Sequence, residues 1–206
     1  MTTPPSTRPP SGEVVSRGGS HLARNAAIAV GLVLVVFIVV LATRPTGDDA
    51  VNTTAVGRAV PPVVGTTLDG ETYDIDRFRG DWVVVNFFAT WCTPCIVEHP
   101  ELVRFSEEHA AAGDGVSIVA VQFGGEEERT IREFFEQRGG DWPVLVGEGT
   151  GRIALDFGVT AVPESYLVAP NGQVVAKYVS GVTAAGLDAE IDRYEAAGDD
   201  DQGEDP

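Results

Sequence analysis

The stretch Trp82-Val83-Val84-Val85-Asn86-Phe87-Phe88-Ala89-Thr90-Trp91-Cys92-Thr93-Pro94-Cys95 decides the fold of this chain. Its first part, up to Ala89, is almost continuously apolar, which is typical of a strand buried on both faces of a sheet. From Thr93 the pattern becomes helical and continues to about Ala112, where Gly113 ends it. A buried strand therefore passes through a short turn into a helix, and two cysteines lie where the helix begins.

Cys92 and Cys95 are the only cysteines among the 206 residues, and their position predicts a redox pair. Unpaired backbone N–H groups and the helix dipole at a helix N-terminus stabilise an anion, so they favour a thiolate at Cys92. We expect Cys92 to be the exposed nucleophile and Cys95, about one turn later, to resolve the mixed disulfide. Trp91 is interpreted as a cover of this site and Pro94 as a rigid spacer.

A closed metal site is not predicted for this chain. A structural zinc site normally needs four Cys or His ligands, and of the three histidines that could join the two cysteines, His21 lies on the far side of an apolar run. A copper chaperone is a competing hypothesis, because thiolates are soft ligands for Cu(I). No further copper ligand is apparent, since Met1 is the only methionine. Thiol exchange needs no cofactor, and none is predicted.

The rest of the predicted domain, residues 59–195, alternates between strand and helix patterns. The further strands are predicted at Val116–Gln122, Glu164–Ala169 and Val174–Val179, and the further helices at Glu126–Arg138, Gly151–Phe157 and Thr183–Tyr194. Pro170-Asn171-Gly172 is a hairpin turn signal between the last two strands. Strand, helix and strand followed by a β-hairpin and a helix predict an α/β sandwich with a mixed sheet.

An apolar run from Ala26 to Ala42 precedes this domain. With Asn25 it would form a helix of roughly 27 Å, just long enough to cross the core of a bilayer. Arginines precede the run and aspartates follow it, so the positive-inside rule leaves the N-terminus in the cytoplasm and exports the domain. We predict an uncleaved, single-pass membrane anchor over residues 25–43. A signal peptide cleaved near Ala42 is the alternative, and a buried core helix fits less well because no face is polar.

Three flanking segments lack the pattern of a folded domain. Residues 1–24 are predicted to be a disordered cytoplasmic tail, residues 44–58 a polar linker, and residues 196–206 an acidic disordered tail. The formal net charge of the chain is −17. Because such a surface repels phosphate backbones, nucleic acid is not an expected partner.

The segment from Asn86 to Pro100 resembles the active site of the thioredoxin superfamily. It is most similar to the membrane-tethered extracytoplasmic branch, the TlpA/ResA/CcmG type used in cytochrome c maturation. Other motifs that resemble this branch are Val60-Pro61-Pro62, Asp69-Gly70, Phe78-Arg79-Gly80, Gly158 to Ser165 and Pro170-Asn171-Gly172. The resemblance covers residues 59–194. It implies a thioredoxin-like α/β/α sandwich with a central mixed sheet and an N-terminal β-hairpin extension, preceded by one transmembrane helix.

The resemblance also implies roles for residues around the cysteines. Pro163 would be the family's cis-proline facing the disulfide, and the backbone of Val162 would pair with an extended substrate segment. Asn86 stands where ordinary thioredoxins have a buried aspartate, and an asparagine cannot take up a proton. Glu98 matches the acidic residue of the ResA-like pattern, and we expect it to handle the proton of Cys95. The alternative for Glu98 is a solvated helix glutamate.

Structural roles are expected for the remaining notable residues near the motif. His99 is interpreted as a surface or half-buried helix residue rather than as part of the site. Pro100 is expected to bend the helix, and Phe134-Phe135 is expected to be core.

Together these features predict an extracytoplasmic thiol–disulfide oxidoreductase that reduces protein disulfides, such as that of an apocytochrome c haem-binding motif. A transmembrane electron donor would re-reduce it, because the outer compartment lacks a thiol pool. An oxidase or isomerase with the same residues is an alternative, since the direction depends on the reduction potential. The copper chaperone is the alternative from a different class.

Overall fold

The computed structural model describes residues 20–42 and 55–202, which belong to two separate units. The first unit contains the helix α1, Ser20–Ala42, which overlaps the membrane span predicted at residues 25–43. Within the described ranges, no helix combines the length and the apolar character that a membrane crossing requires, so the predicted transmembrane helix is not confirmed. The predicted tails and linker fall in large part on residues 1–19, 43–54 and 203–206, outside the described residues.

The second unit is built on a sheet that has seven strands in the described chain. The strands are β1 (Val64–Thr67), β2 (Thr72–Asp74), β3 (Trp82–Phe88), β4 (Val116–Gln122), β5 (Val144–Val146), β6 (Glu164–Val168) and β7 (Val174–Val179). The helices are α2 (Thr93–Ala112), α3 (Glu128–Arg138), α4 (Gly149–Phe157) and α5 (Ala184–Gln202), and a 3₁₀ helix spans Ile75–Phe78. The strand order is β2-β1-β5-β4-β3-β6-β7. Strands β3, β4 and β5 are parallel and the other neighbours antiparallel, which confirms the predicted mixed sheet.

Every residue of the central strand β3 is buried. Its side chains alternate between two cores, because successive residues of a strand point to opposite faces. Val85 and Phe87 belong to one core with Phe157 of α4, whereas Val84 belongs to the other with Leu102 of α2. Coverage of both faces explains why this part of the sequence is a continuous apolar run.

The N-terminal β-hairpin extension is confirmed by the antiparallel pair β1–β2. β1 also pairs with β5, where Thr66 lies opposite Val146. β5 was not predicted from the sequence. Its three residues are too few to show a period of two, and only the pairing with β4 and β1 makes them a strand.

The predicted starts of two helices differ from the structure by two residues. α3 begins at Glu128 and not at Glu126, because the backbone of Glu127 is still extended, with φ −65° and ψ 133°. α4 begins at Gly149, two residues before its predicted start at Gly151. In both cases the end of the helix, at Arg138 or Phe157, is as predicted.

The last helix is longer than predicted. α5 continues to Gln202, beyond Tyr194, and so enters the segment that was predicted to be an acidic disordered tail. Ala196 and Ala197 are strong helix formers, and they extend a helix whose last buried apolar residue is Ile191.

Residues 55–58, predicted as the end of the linker, are part of the folded unit. The N–H of Gly57 donates to the carbonyl of Val174 at 2.8 Å, and the N–H of Val174 donates to the carbonyl of Arg58 at 2.9 Å. The N–H of Val60 donates to the carbonyl of Gly172 at 2.9 Å. This segment therefore runs along β7 and pairs with backbone groups at the edge of the sheet.

Candidate active site

The turn between β3 and α2 places Cys92 at the helix N-terminus. Cys92 has extended backbone angles, and its Sγ accepts a hydrogen bond of 3.2 Å from the N–H of Cys95. Its carbonyl accepts from the N–H of Ile96 at 3.1 Å, and its own N–H donates to the carbonyl of Ala89 at 3.2 Å. Cys92 is thus the N-cap residue of α2, with its sulfur at the positive end of the helix dipole.

Cys92 and Cys95 form a disulfide, with their Cα atoms 5.2 Å apart. Cys92 is only 4% exposed, so the expectation of an exposed nucleophile is wrong for this oxidised state. The reason is that its Sγ lies 3.5 Å from the carbonyl oxygen of Val162 and packs into an apolar cluster with Phe88 and Ala89.

Trp91 and Pro94 are exposed, whereas Asn86, the third residue predicted to shape the site, is buried. Pro94 occupies the first turn of α2, where its missing N–H has no intrahelical partner to lose. Trp91 is 64% exposed, and a Cβ built on Gly124 would lie 3.9 Å from its Cζ2. The ring therefore extends beside the loop after β4, and its role as a cover stays a prediction.

The Val162–Pro163 peptide bond is cis, as the resemblance implied. Pro163 is buried, and its carbonyl accepts a hydrogen bond of 3.1 Å from the N–H of Ser180. The carbonyl of Val162 points at the sulfur of Cys92. In the reduced protein that oxygen is within reach as an acceptor for the Cys92 thiol.

A buried polar chain lies behind the cysteines. Nδ2 of Asn86 donates to Oε1 of Glu98 at 3.0 Å and to Oγ of Ser165 at 2.9 Å. All three residues are buried, and they come from β3, α2 and β6. The alternative of a solvated Glu98 is therefore wrong, because α2 turns this side chain towards the sheet.

The environment of Glu98 makes its carboxyl group hard to ionise. Burial raises its pKa to about 7, although hydrogen bonds from Asn86 and from the backbone of Val182 act in the opposite direction. Its Oε2 is buried without a hydrogen bond of regular geometry among the described residues. A carboxyl group with this pKa exchanges a proton near neutral pH, as a general acid–base group requires.

His99 is buried, contrary to the expectation of a surface or half-buried position. Its Nε2 lies 2.9 Å from the carbonyl oxygen of Gly139, and its ring packs against Phe134, Phe135 and Trp142. Burial lowers its pKa, so it is neutral at physiological pH. The adjacent positions Glu98 and His99 thus differ in role, since only Glu98 joins the polar chain behind the cysteines.

A second buried network, which the sequence did not predict, begins directly after Pro163. Nζ of Lys177 lies 2.9 Å from Oε2 of Glu164, and the hydroxyl of Tyr166 donates to the same oxygen at 2.8 Å. Nζ of Lys177 is also 5.2 Å from the centre of the Tyr166 ring. Lys177 is the only lysine of the chain. A single lysine within a strand pattern is a sequence signal for a buried ion pair, because a buried lysine requires a partner.

Metal ligands are not grouped in this region. Within residues 20–42 and 55–202, no cluster of three or more His, Cys, Asp or Glu side chains could hold a metal ion. The arrangement around Cys92 can instead perform thiol–disulfide exchange, with a sulfur at a helix N-terminus and a protonatable carboxyl group nearby.

Comparisons with known proteins agree with this chemistry. The profile of the Redoxin family matches residues 55–195. A Paracoccus denitrificans protein named thiol:disulfide interchange protein DsbE homolog is 31% identical over 132 residues, covering 63% of this chain and 69% of that protein. Thiol-disulfide oxidoreductase ResA of Bacillus thuringiensis subsp. konkukian is 31% identical over 120 residues, covering 58% and 67%.

Solved structures show the same fold. The crystal structure of a thioredoxin family thiol:disulfide interchange protein from Chlorobium tepidum superposes with a TM-score of 0.56 at 26% identity, covering 69% of this chain and 98% of that chain. The likeness extends over almost the whole of that protein. It therefore supports the thioredoxin-like assignment for the sheet and helices described above.

Proposed function

This chain belongs to the Redoxin family as a thioredoxin-like thiol–disulfide oxidoreductase, and from that premise we propose that it is an extracytoplasmic reductase of protein disulfides. The observation that carries the proposal is the position of Glu98, a buried carboxyl group with a pKa of about 7, three residues after Cys95. Such a group accepts the proton that the resolving thiol must lose.

The proposed reaction starts from the dithiol form of the protein. The Cys92 thiolate attacks one sulfur of the substrate disulfide, forms a mixed disulfide and releases the other substrate sulfur as a thiolate, which takes a proton from water. Hydrogen bonding from the N–H of Cys95 stabilises the attacking thiolate, as it does the Cys92 sulfur in the oxidised state. An extended substrate segment would pair with the backbone at Val162.

The second step releases the substrate. Cys95 passes its proton to the carboxylate of Glu98, and the Cys95 thiolate attacks the Cys92 sulfur. The substrate leaves as its second thiolate, which takes up the proton held by Glu98, and the Cys92–Cys95 disulfide is formed. Together with the proton that Cys92 gave to water on forming its thiolate, the protein dithiol thus loses two electrons and two protons, and the substrate gains the same number. A donor of two electrons then regenerates the dithiol, and we assign this role to a transmembrane protein.

The location of the domain is part of the proposal. The apolar run Ala26–Ala42 and the arginines before it support export. Alkaline phosphatase fused after residue 202 should be active in the native host, and a fusion after residue 24 should be inactive. N-terminal sequencing of the exported protein distinguishes a cleaved segment from a retained one. An active fusion after residue 24 or an inactive one after residue 202 would refute export.

The proposed substrate class is a haem-binding Cys-x-x-Cys disulfide of an apocytochrome c, supported by the resemblance of the active-site segment to the cytochrome c maturation branch. The reduced domain should reduce a peptide with this disulfide at least ~10-fold faster than insulin. Equal rates would show a reductase without this preference.

The reduction potential of Cys92–Cys95 tests the direction. A value of ~−250 mV or lower supports the reductase, because such a dithiol donates electrons to most protein disulfides. A value of ~−120 mV would indicate an oxidase that uses the same residues. Redox titration against glutathione or dithiothreitol buffers, followed by alkylation of the free thiols, provides the measurement.

A further inference from the structure

The turn that carries Cys92 is tied to the loop after β4 by a single carboxylate. The N–H of Thr90 donates to Oε2 of Glu126 at 2.9 Å, and the hydroxyl of Thr90 donates to Oε1 of the same residue. Thr90 lies two residues before Cys92, within the turn that the N–H of Cys92 closes onto the carbonyl of Ala89. Both donors of Thr90 are therefore directed at Glu126.

The parallel sheet explains how two residues 36 positions apart meet. β3 and β4 are adjacent and parallel, so the segments that follow their carboxyl ends emerge at the same edge of the sheet. The N–H of Phe123 continues the pairing by donating to the carbonyl of Phe88 at 2.8 Å. This places Glu126 beside Thr90.

The carboxylate of Glu126 is itself held in place. The buried side chain of Gln122 accepts a hydrogen bond of 3.1 Å from the N–H of Gly125 and donates to the carbonyl of Phe123 at 2.9 Å. Its Nε2 also lies 3.4 Å from Oε2 of Glu126. These hydrogen bonds of the Gln122 side chain fix the loop after β4. It also runs beside Trp91, through Gly124.

We propose that Glu126 is a positioning residue for the nucleophile, which orients the Thr90–Cys92 turn so that the Cys92 sulfur meets the N–H of Cys95. Glu126 acts through Thr90. Its effect on exchange follows from geometry, because a looser turn would weaken the hydrogen bond to a Cys92 thiolate. The inference depends on thiol exchange at Cys92 but not on the direction or the substrate, and it is tested without either.

The test is the pKa of the Cys92 thiol in the full-length reduced protein, followed by thiolate absorbance and by the pH dependence of alkylation. Glu126→Ala removes both hydrogen bonds between Thr90 and Glu126 and thereby weakens the hydrogen bond from the N–H of Cys95 to the Cys92 thiolate. The pKa of Cys92 should therefore rise by ~0.5 unit or more. Loss of a negative charge alone would lower that pKa. The two explanations therefore predict opposite signs.

Glu126→Gln provides the rescue. Its amide oxygen can accept from the N–H of Thr90, and its amide group can donate to the Thr90 hydroxyl oxygen. The pKa of Cys92 in this variant should equal that of the wild type or lie below it. Glu127→Ala is the matched control, because Glu127 is the next residue, has a side chain that is 79% exposed and should leave the pKa unchanged.

Thr90→Val removes one of the two donors and retains the charge. It should raise the pKa of Cys92 when made alone and add nothing in the Glu126→Ala background, since the partner is already absent. If Glu126→Ala folds poorly, the pKa of Cys92 in Thr90→Val and in Glu126→Gln still tests the proposal, because both are nearly isosteric changes. A pKa that falls or stays constant in Glu126→Ala and Thr90→Val, or a rise of equal size in Glu127→Ala, would overturn the proposal.

Discussion

Asn86 of the central strand donates a hydrogen bond of 3.0 Å to the carboxyl group of Glu98, one of the few acidic side chains buried in the described chain. A thioredoxin with an aspartate at the strand position would carry the titratable group there. In this chain the strand supplies a fixed amide donor, and the helix that begins with the cysteines supplies the carboxyl group. The proton site is thereby moved onto the same helix as Cys95.

The raised pKa of Glu98 predicts a specific dependence of stability on pH. A carboxyl group that changes its pKa from 4.5 to about 7 on folding binds its proton more tightly in the folded state, so its contribution to stability is largest at low pH. This contribution is lost as the pH rises from about 4.5 through about 7. Glu98→Gln should therefore gain stability relative to the wild type across this interval, by up to about 3 kcal/mol.

Urea denaturation of both oxidised proteins at pH 5 and pH 8 measures this difference. The comparison cancels the other carboxylates, which titrate alike in both proteins. A free-energy difference that is the same at the two pH values would contradict the assignment. In the reduced proteins, Glu98→Gln should also slow the resolution of a mixed disulfide by about 10-fold or more.

Substitution of single cysteines should separate the two roles in exchange. Cys95→Ser leaves the Cys92 sulfur at the helix N-terminus, so the variant should accumulate a stable mixed disulfide with a substrate. Cys92→Ser retains only the Cys95 thiol, which lies inside the first turn of α2 and not at its N-cap, and should form about 100-fold less of that adduct. Mass spectrometry after incubation with an oxidised peptide counts the adducts. Equal trapping by both variants would reverse or remove the assignment.

The ion pair between Lys177 and Glu164 predicts a large effect of a single substitution. Lys177→Met would leave the Glu164 carboxylate buried without its cation, which costs about 3–5 kcal/mol. Adding Glu164→Gln removes the orphaned charge and keeps an acceptor for the Tyr166 hydroxyl, so the double variant should regain more than half of that loss. Urea denaturation of the single and double variants measures the coupling; additive losses would show that the pair does not interact.

His109 links the end of α2 to α5 in a pH-dependent way. Its Nδ1 lies 2.7 Å from Asp114 and its Nε2 lies 3.0 Å from Asp188. Partial burial lowers its pKa, but the hydrogen bonds and charges of the two aspartates outweigh this effect and raise the pKa above 6.5. The stabilisation is therefore complete below pH 6.5 and is lost as the pH rises through the folded-state pKa.

His109→Gln should consequently be less stable than the wild type by about 1 kcal/mol at pH 6, and by clearly less at pH 9.5. Thermal denaturation of the oxidised proteins at both pH values measures the two differences. The matched control is Asp188→Asn, which removes one partner and should reduce the pH dependence of the wild type. A destabilisation that is independent of pH would show that only the neutral ring contributes.

The sequence was informative wherever local pattern decides structure. The apolar run of β3, the helix from Thr93 to Ala112 and its end at Gly113 agree with the structure, because burial on both faces and left-handed glycine caps leave local signatures. The three-residue strand β5 was not predicted, because it is too short to have a local signature. It is a strand only because it pairs with β4 and β1.

The cysteine motif and its place at a strand-to-helix junction could thus be read from the sequence alone, since helix and strand periodicity are local properties of the chain. Only the tertiary structure decided that Cys92 is covered at Val162, that Glu98 is buried against Asn86, and that Glu126 holds Thr90. The contacts of Cys92 with Val162 and of Thr90 with Glu126 join segments next to neighbouring strands, so they depend on the strand order. The contact of Glu98 with Asn86 depends on the packing of α2 against the sheet. Strand order is set by the packing of the whole sheet, which no short stretch of sequence contains.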